Sequence, residues 1–336
     1  MPAQLNIAVD AMSGDRGTSV SVPAALAAAR EFPDVRFTLI GREADLKREL
    51  NGAAPANIAM LHASDVVEMS DHPRDALRRK KDSSMRRAID LVKAREAHAC
   101  VSAGNTGALM ATAHFVLKML PGVERPAIVS LIPSRGGHTY MLDLGANASC
   151  TPEHLRQFAI MGSVLAADLE GAHERPRVGL LNIGEEEIKG NETVQAANEL
   201  LAQSDINYVG FVEGHDIFSE KVDVVVTDGF TGNIALKAME GAARLIGDAL
   251  REEFSRSMFR KLGYLGARPA LNALRTRIDP RRYNGASMVG LNGIVIKSHG
   301  GADLFGFQRA IEVAVLEARN GVPAQIAERL GGSHTA

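Results

Sequence analysis

Val224, Val225 and Val226 form a β-branched run that reads as a strand buried on both faces. The chain then breaks into TDGFTGN and passes directly into IALKAMEGAARLIGDAL, where Ile234, Ala238, Ala242, Leu245 and Ala249 recur at helical spacing. Strand, polar loop and helix follow one another with almost no connector. Such a loop lies at the carboxyl end of a strand and the amino end of a helix, where free N–H groups and the positive end of the helix dipole favour an anion. Gly229 and Gly232 allow tight turns there, and Thr231 or Asn233 can cap the helix. The segment reads as a phosphate site, or as an ordinary βα turn in which Asp228 and its threonines only cap.

The same joint recurs along the chain. Leu5 to Val9 is a strand that delivers Asp10, Gly14 and Asp15 in DAMSGDRG, before an alanine-rich helix from Ser19 to Arg30. Phe37 to Ile40 and Glu43 to Leu50 continue as strand and helix; neither strand is followed by GxGxxG, so a dinucleotide fingerprint is not supported. A strand opening at Ala99 runs into SAGNTG, placing Ser102, Gly104, Asn105 and Thr106 at a helix start. Ala127 to Ile132 and Thr139 to Leu142 pair around SRGGH, and the second delivers Asp143 and Asn147 before a helix opening at Thr151-Pro152. Val178 to Ile183 delivers Lys189 and Asn191, Asn207 to Val212 is a further strand, and Met288 to Ile296 is a last strand delivering Lys297 and His299. Cys150 lies near His154, but a nucleophilic thiol needs a base in reach, and a residue on a helix start can point away.

Two segments break this rhythm. Asp71 to Arg95 is basic; it reads as a solvated helix face, or as Lys80, Lys81 and Ser83 bordering an anionic site. Arg244 to Arg282 contains no strand and reads as a helical hairpin broken at Gly263, Gly266 and Pro269. Its apolar residues suit a dimer contact, and its tip, with Leu262, Tyr264 and Leu265, suits lipid or an acidic partner.

The 336 residues carry a net charge of -2 and only 4% aromatic residues with no Trp, which argues against nucleic acid as a partner. Two cysteines make neither a metal cluster nor a disulfide framework. The amino terminus lacks a basic-then-apolar leader pattern, and no apolar run approaches the ~18 residues of a membrane span. A cytoplasmic protein, in contact with a membrane at most peripherally, is the expectation.

Several stretches together resemble the bacterial phosphate acyltransferases of phospholipid synthesis, the acyl-acyl carrier protein:phosphate acyltransferase family. They are IAVDAM at Ile7 with Gly14-Asp15, LRRKKDSSM at Leu77, VSAGNTGALM at Val101, DLGAN at Asp143, LLNIGEEEIKGNE at Leu180, VVVTDGFTGNIALK at Val224 and GIVIKSHGGAD at Gly293. They span the chain end to end. Ser13 and Thr18 depart from the family's usual first loop.

The resemblance implies a single domain over residues 1–336, an α/β/α three-layer sandwich with a mostly parallel sheet, like the isopropylmalate dehydrogenase and phosphotransacetylase group. It implies a helical hairpin over 244–282 for dimerisation and for membrane or carrier contact. The implied reaction moves a long-chain acyl group from acyl carrier protein to inorganic phosphate, with no metal or other cofactor. A homodimer, loose membrane association and a membrane-bound glycerol-phosphate acyltransferase downstream are implied with it.

The residues suit that chemistry. A thioester is already activated, so phosphate can attack it directly once the protein holds both and stabilises the oxyanion. Asn105, Thr106, Thr231, Gly232 and Asn233 are candidates for phosphate or oxyanion contacts, with Asp10, Gly14, Asp15, Ser102, Gly104, Asn147, Asn191, Gly229 and Lys297 lining the substrate. Lys189 suits charge stabilisation, and Asp143, Asp228 and His299 suit orientation or proton handling. A phosphotransacetylase-like enzyme using acyl-coenzyme A would use the same loops. A metal-dependent NAD dehydrogenase and a non-enzymatic scaffold are more distant alternatives. The enzyme readings of this kind carry the expectation that the glycine-bearing loops meet at one edge of the sheet.

Overall fold

Val224, Val225 and Val226 are fully buried, as a strand enclosed on both faces requires. The computed structural model describes residues 4–52, 54–170 and 175–331. The strands are β1 (Asn6–Asp10), β2 (Arg36–Gly41), β3 (Ile58–His62), β4 (Ala99–Ser102), β5 (Ala127–Ser134), β6 (Gly137–Leu142), β7 (Arg177–Leu181), β8 (Asn207–Val212), β9 (Val224–Val226), β10 (Ala286–Val289) and β11 (Ile294–Lys297). The helices are α1 (Thr18–Glu31), α2 (Glu43–Leu50), α3 (Pro73–Arg79), α4 (Ser84–Lys93), α5 (Thr106–Leu117), α6 (Pro152–Glu170), α7 (Glu192–Ala202), α8 (Gly229–Ser255), α9 (Met258–Arg277), α10 (Leu304–Asn320) and α11 (Val322–Gly331).

All strands join one sheet in the order β3-β2-β1-β4-β11-β10-β5-β6-β9-β7-β8. Alternation along each strand sorts the core into layers. Ala8, Cys100, Val295, Met288, Ile128, Met141 and Val225 face the side covered by α3, α4 and α5, where the first turns of α8 also pack. Ile7, Val9, Val101 and Ile296 face α1, α2 and α10, whereas Tyr140, Leu142, Val224 and Val226 face α6, α7 and α11. The result is the α/β/α sandwich with a mostly parallel sheet that the resemblance implied.

Three expectations need correction. The run from Met288 to Ile296 is not one strand: Gly290 (φ 90°) and Gly293 (φ 153°) turn the chain, and β10 pairs antiparallel with β11. Helix α8 starts at Gly229, not after Asn233, because Asp228 is the cap: its Oδ1 accepts from the Thr231 N–H at 2.9 Å. The hairpin bends at Arg256–Ser257, where Ser257 caps α9, while Gly263, Gly266 and Pro269 all lie inside α9. Leu262, Tyr264 and Leu265 are therefore in the first turns of α9 and flank the bend instead of forming it.

The largest correction concerns strand direction. β1, β4 and β11 are mutually parallel. Three antiparallel pairings then follow, β11 with β10, β10 with β5 and β5 with β6, and β6 is parallel to β9 and β9 to β7. The carboxyl ends of β6, β9 and β7 thus point opposite to those of β1, β4 and β11. The glycine-bearing loops form two clusters at opposite ends of the strands, not one.

The strands are short enough to keep the clusters close. Pairing runs Ile296–Ser287–Val129–Leu142–Val226 in a single row. Lys297 lies one residue beyond this row at one end and Asp143 one residue beyond it at the other. They are offset by about 7 Å along the strands and about 14 Å across three strand spacings. Both point to the face covered by α3, α4 and α5. Between them on that face, Ala286 and Ser130 are partly exposed.

Candidate active site

The first cluster is built on β1, β4 and β11. Burial forces Asp10 to find partners: its Oδ2 accepts from Ser102 Oγ at 2.6 Å, while Oδ1 has none. Ser13 Oγ accepts from the Ala103 N–H at 2.9 Å, and Ser102 Oγ from Gly104 N–H at 3.1 Å, so the loops after β1 and β4 are tied together. The left-handed angles of the first loop fall on Gly14 and Gly17, and Ser13 is free to serve as a hydrogen-bonding residue. Gly14 also lets the loop reach β11: a Cβ there would stand 3.0 Å from the Gly300 carbonyl oxygen. Lys297 is buried, its ammonium donates to the Ser298 carbonyl, and desolvation lowers its pKa to about 8 despite the nearby Asp10 and Asp15 carboxylates. Desolvation likewise raises the Asp10 pKa, more than its hydroxyl partners lower it.

Asn105 caps α5, its Oδ1 accepting from the Ala108 N–H at 2.9 Å, and its amide donates to the Met69 carbonyl at 2.7 Å. The N–H groups of Thr106 and Gly107 have no acceptor among the described residues, and both residues are exposed. His299 is exposed, with Nδ1 accepting from the Gly301 N–H.

The second cluster is built on β6, β9 and β7. Asp143 is its hub. Oδ1 accepts from the N–H groups of Ile128, Gly145 and Ala146, and Oδ2 from the backbone and side-chain N–H of Asn147. Desolvation raises its pKa in opposition to these bonds. The amino end of α8 packs onto this loop: a Cβ on Gly229 would lie 2.5 Å from the Asn147 carbonyl oxygen and 2.7 Å from Asp143 Oδ2. Neither Gly229 nor Gly232 adopts a positive φ, so these glycines serve close approach and not a turn. The helix start is largely closed to an outside anion, because Gly229 N–H donates to Asn147, and Asp228 takes those of Thr231 and Gly232.

Within this cluster two of the candidate residues keep uncommitted side chains. Asn233 is half-buried beside Gly145, and Lys189 is exposed on the loop after β7; neither side chain has a hydrogen-bond or ion-pair partner among the described residues. Asn191 caps α7 through the Val194 N–H at 2.9 Å. Sequence reading passed over the apolar residues around them. Ile183 and Ile188 are 82% and 84% exposed on the Lys189 loop, and Phe230 is 62% exposed on α8. Exposure of this kind is not visible in a pattern of residue types.

Cys150 does not pair with His154. The His154 Nδ1 accepts from Thr151 N–H and its Nε2 lies 2.9 Å from Glu124, while burial pushes the Cys150 thiol up to about 12. Burial thus disfavours the thiolate form at Cys150.

A family model described as a fatty acid synthesis protein matches residues 5–325. The phosphate acyltransferase of Methylococcus capsulatus is 58% identical over 327 residues, covering 96% of each chain. That of Alkalilimnicola ehrlichii is 57% identical over 333 residues, covering 98% of this chain and 97% of the relative. Among solved structures, a phosphotransacetylase from Streptococcus pyogenes superposes with a TM-score of 0.63 at 15% identity, over 95% of each chain. The EutD phosphotransacetylase of Staphylococcus aureus gives 0.60 at 16% identity over 94% of each chain. At such identities the likeness is one of fold alone.

Proposed function

This chain belongs to the fatty acid synthesis protein family, and from that premise we propose that it transfers a long-chain acyl group from acyl carrier protein to inorganic phosphate. It is a phosphate acyltransferase; the observation that carries this is near-full-length identity of 58% to a protein of that name. A phosphate oxygen attacks the thioester carbonyl, the carbon–sulfur bond breaks, and acyl phosphate and the carrier thiol leave.

The division between engaged and free polar groups supports a distribution of roles. Asp143, Asp228, Asn147 and Asn191 hold loops and helix starts, and Asp10 and Ser102 do the same at the other cluster. Lys189 and Asn233 remain free. Lys189 neutralises phosphate charge as it attacks, and the Asn233 amide donates to the developing oxyanion. The face carrying Ser130, Ala286 and Lys297 accommodates the donor's arm, with the open N–H groups of Thr106 and Gly107 at its far end and His299 nearby. Residues 1–336 act as a single catalytic domain.

Exposed Leu245, Ile246 and Phe259 on α8 and α9, at 70%, 59% and 87%, support a homodimer through the hairpin with a peripheral membrane contact beside its bend. No described helix is long and apolar enough to cross a membrane. The protein works in the cytoplasm, and the acyl phosphate passes to a membrane-bound glycerol-phosphate acyltransferase.

The test is to incubate the protein with a long-chain acyl carrier thioester and phosphate, and to trap acyl phosphate as its hydroxamate. Phosphate-dependent product is expected. Product from acetyl-coenzyme A with none from the carrier thioester would replace this reading with a phosphotransacetylase-like one.

A further inference from the structure

Arg74, Arg78 and Lys81 are exposed, and none makes an ion pair among the described residues. Their neighbours do: Arg79 lies 3.6 Å from Asp75, Lys80 2.5 Å from Asp71, Arg86 2.8 Å from Asp90 and Arg87 3.1 Å from Asp82. Arg74 and Arg78 stand one turn apart on α3, where like charges repel and weaken a short helix. The fold has no use for this repulsion. In a chain of net charge -2, three unpaired cations on one short segment are a local field that attracts an anionic partner.

The patch adjoins the donor end of the site. α3 packs on α5 so closely that a Cβ on Gly107 would lie 3.0 Å from Pro73 Cγ. Asn105, the cap of α5, donates to the carbonyls of Met69 at 2.7 Å and Asp71 at 3.3 Å. Met69, 49% exposed, adds an apolar contact inside the charged rim, which is the usual anatomy of a docking surface.

We propose that Arg74, Arg78 and Lys81, with Met69, are the docking surface for an acidic face of the thioester-bearing carrier protein. This rests on the acyl-transfer reading above. A carrier seated here directs its flexible arm past the amino end of α5 and along the sheet face toward Asn233 and Lys189. On the hairpin Arg251, Arg256 and Arg260 are paired with Asp248, Glu252 and Glu253. Lys261 and Arg268 are exposed and make no ion pair among the described residues, so α9 is the competing cationic surface. Unlike α3, α9 does not pack against α5 among the described residues.

The experiment compares the wild type with an Arg74→Glu/Arg78→Glu/Lys81→Glu variant and, as a control, a Lys261→Glu/Arg268→Glu variant on α9. The quantities read are kcat, KM for the acyl carrier thioester, KM for phosphate, direct binding of the carrier protein lacking its arm, and binding to anionic phospholipid vesicles. For the α3 variant, carrier KM and the dissociation constant of armless carrier are expected to rise tenfold or more, on the order seen for lost charge complementarity, with phosphate KM and kcat unchanged. The wild-type carrier affinity is expected to fall with added salt. An α3 variant with wild-type carrier affinity overturns the proposal, as does a loss of carrier affinity confined to the α9 variant. Loss of binding to anionic phospholipid vesicles with carrier affinity intact also overturns it, in favour of a lipid contact. If the wild type makes no acyl phosphate yet binds armless carrier through α3, the reaction is misassigned and the surface stands.

Discussion

The carbonyl oxygen of Asp143 occupies the space in which residue 232 would carry a Cβ, so α8 can begin where it does only because that residue is Gly232. The Thr227 Cγ2 would stand 3.0 Å from the same Cβ. Two effects compete in Gly232→Ala. Helix propensity favours Ala by about 0.5–1 kcal/mol, but the obstacle is backbone, which cannot rotate away, and overpacking costs about 1–3 kcal/mol or more. A net loss of stability is expected in urea unfolding, with activity falling as the helix start shifts. Gly247→Ala, with nothing within 4 Å in the same helix, is expected to gain the propensity term.

Asp143→Asn should do more damage than its size suggests. Both carboxylate oxygens act as acceptors only, for five N–H groups in all from Ile128, Gly145, Ala146 and Asn147. An amide replaces one acceptor by a donor and turns it toward other donors. Leaving buried donors unsatisfied costs about 1–3 kcal/mol each, so a loss of several kcal/mol is expected. Asp143→Glu is expected to fail as well, because the shell fits one length of side chain. Chemical denaturation at neutral pH checks both.

The contrast between these glycines and aspartates explains what could be read without coordinates. Strands such as Val224–Val226 were legible because burial on both faces leaves an unbroken apolar run. β3 was not, since Ile58–His62 at the sheet edge is only partly buried and its pattern is weak. The loop residues around Asp143, Asp228 and Asn105 were legible as a set because polar and glycine residues gather at strand–helix joints. Their grouping was not, because strand direction depends on pairings between β11, β10, β5 and β6 that leave no local mark. Gly232 was legible as special but for the wrong reason, as sequence does not distinguish a glycine that turns from one that makes room. Ser257 stopped a helix where Pro269 did not, a choice made by cap geometry and not by propensity.

Lys189→Met and Asn233→Ala separate function from stability. Neither side chain has a partner to lose among the described residues, and Lys189 is exposed, so unfolding midpoints are expected to stay near wild type. If these groups stabilise the charge that develops on phosphate and the oxyanion, kcat should fall by about 10²–10³ for each. Lys189→Arg should recover part of the loss if charge alone matters. Full activity in Lys189→Met would remove that residue from the chemistry.

Glu317 carries a pH dependence that is separable from catalysis. It is buried on α10 behind β10, where Oε2 accepts from Ser287 Oγ at 3.0 Å and Oε1 has no partner. Burial raises its pKa from 4.5 to about 8, with the Ser287 hydrogen bond opposing. The folded protein therefore holds a proton there that the unfolded chain has already released. Stability from this group is fully present below about 4.5 and is lost as pH rises toward about 8. Across that window the slope is about 1.4 kcal/mol per pH unit, the value for one proton. Glu317→Gln mimics the protonated acid at every pH. Urea unfolding from pH 5 to pH 8 should show the wild type weakening relative to Glu317→Gln, with the two converging at the acid end. Parallel curves for the two proteins would mean that Glu317 is ionised in the folded state, with water or a cation reaching Oε1.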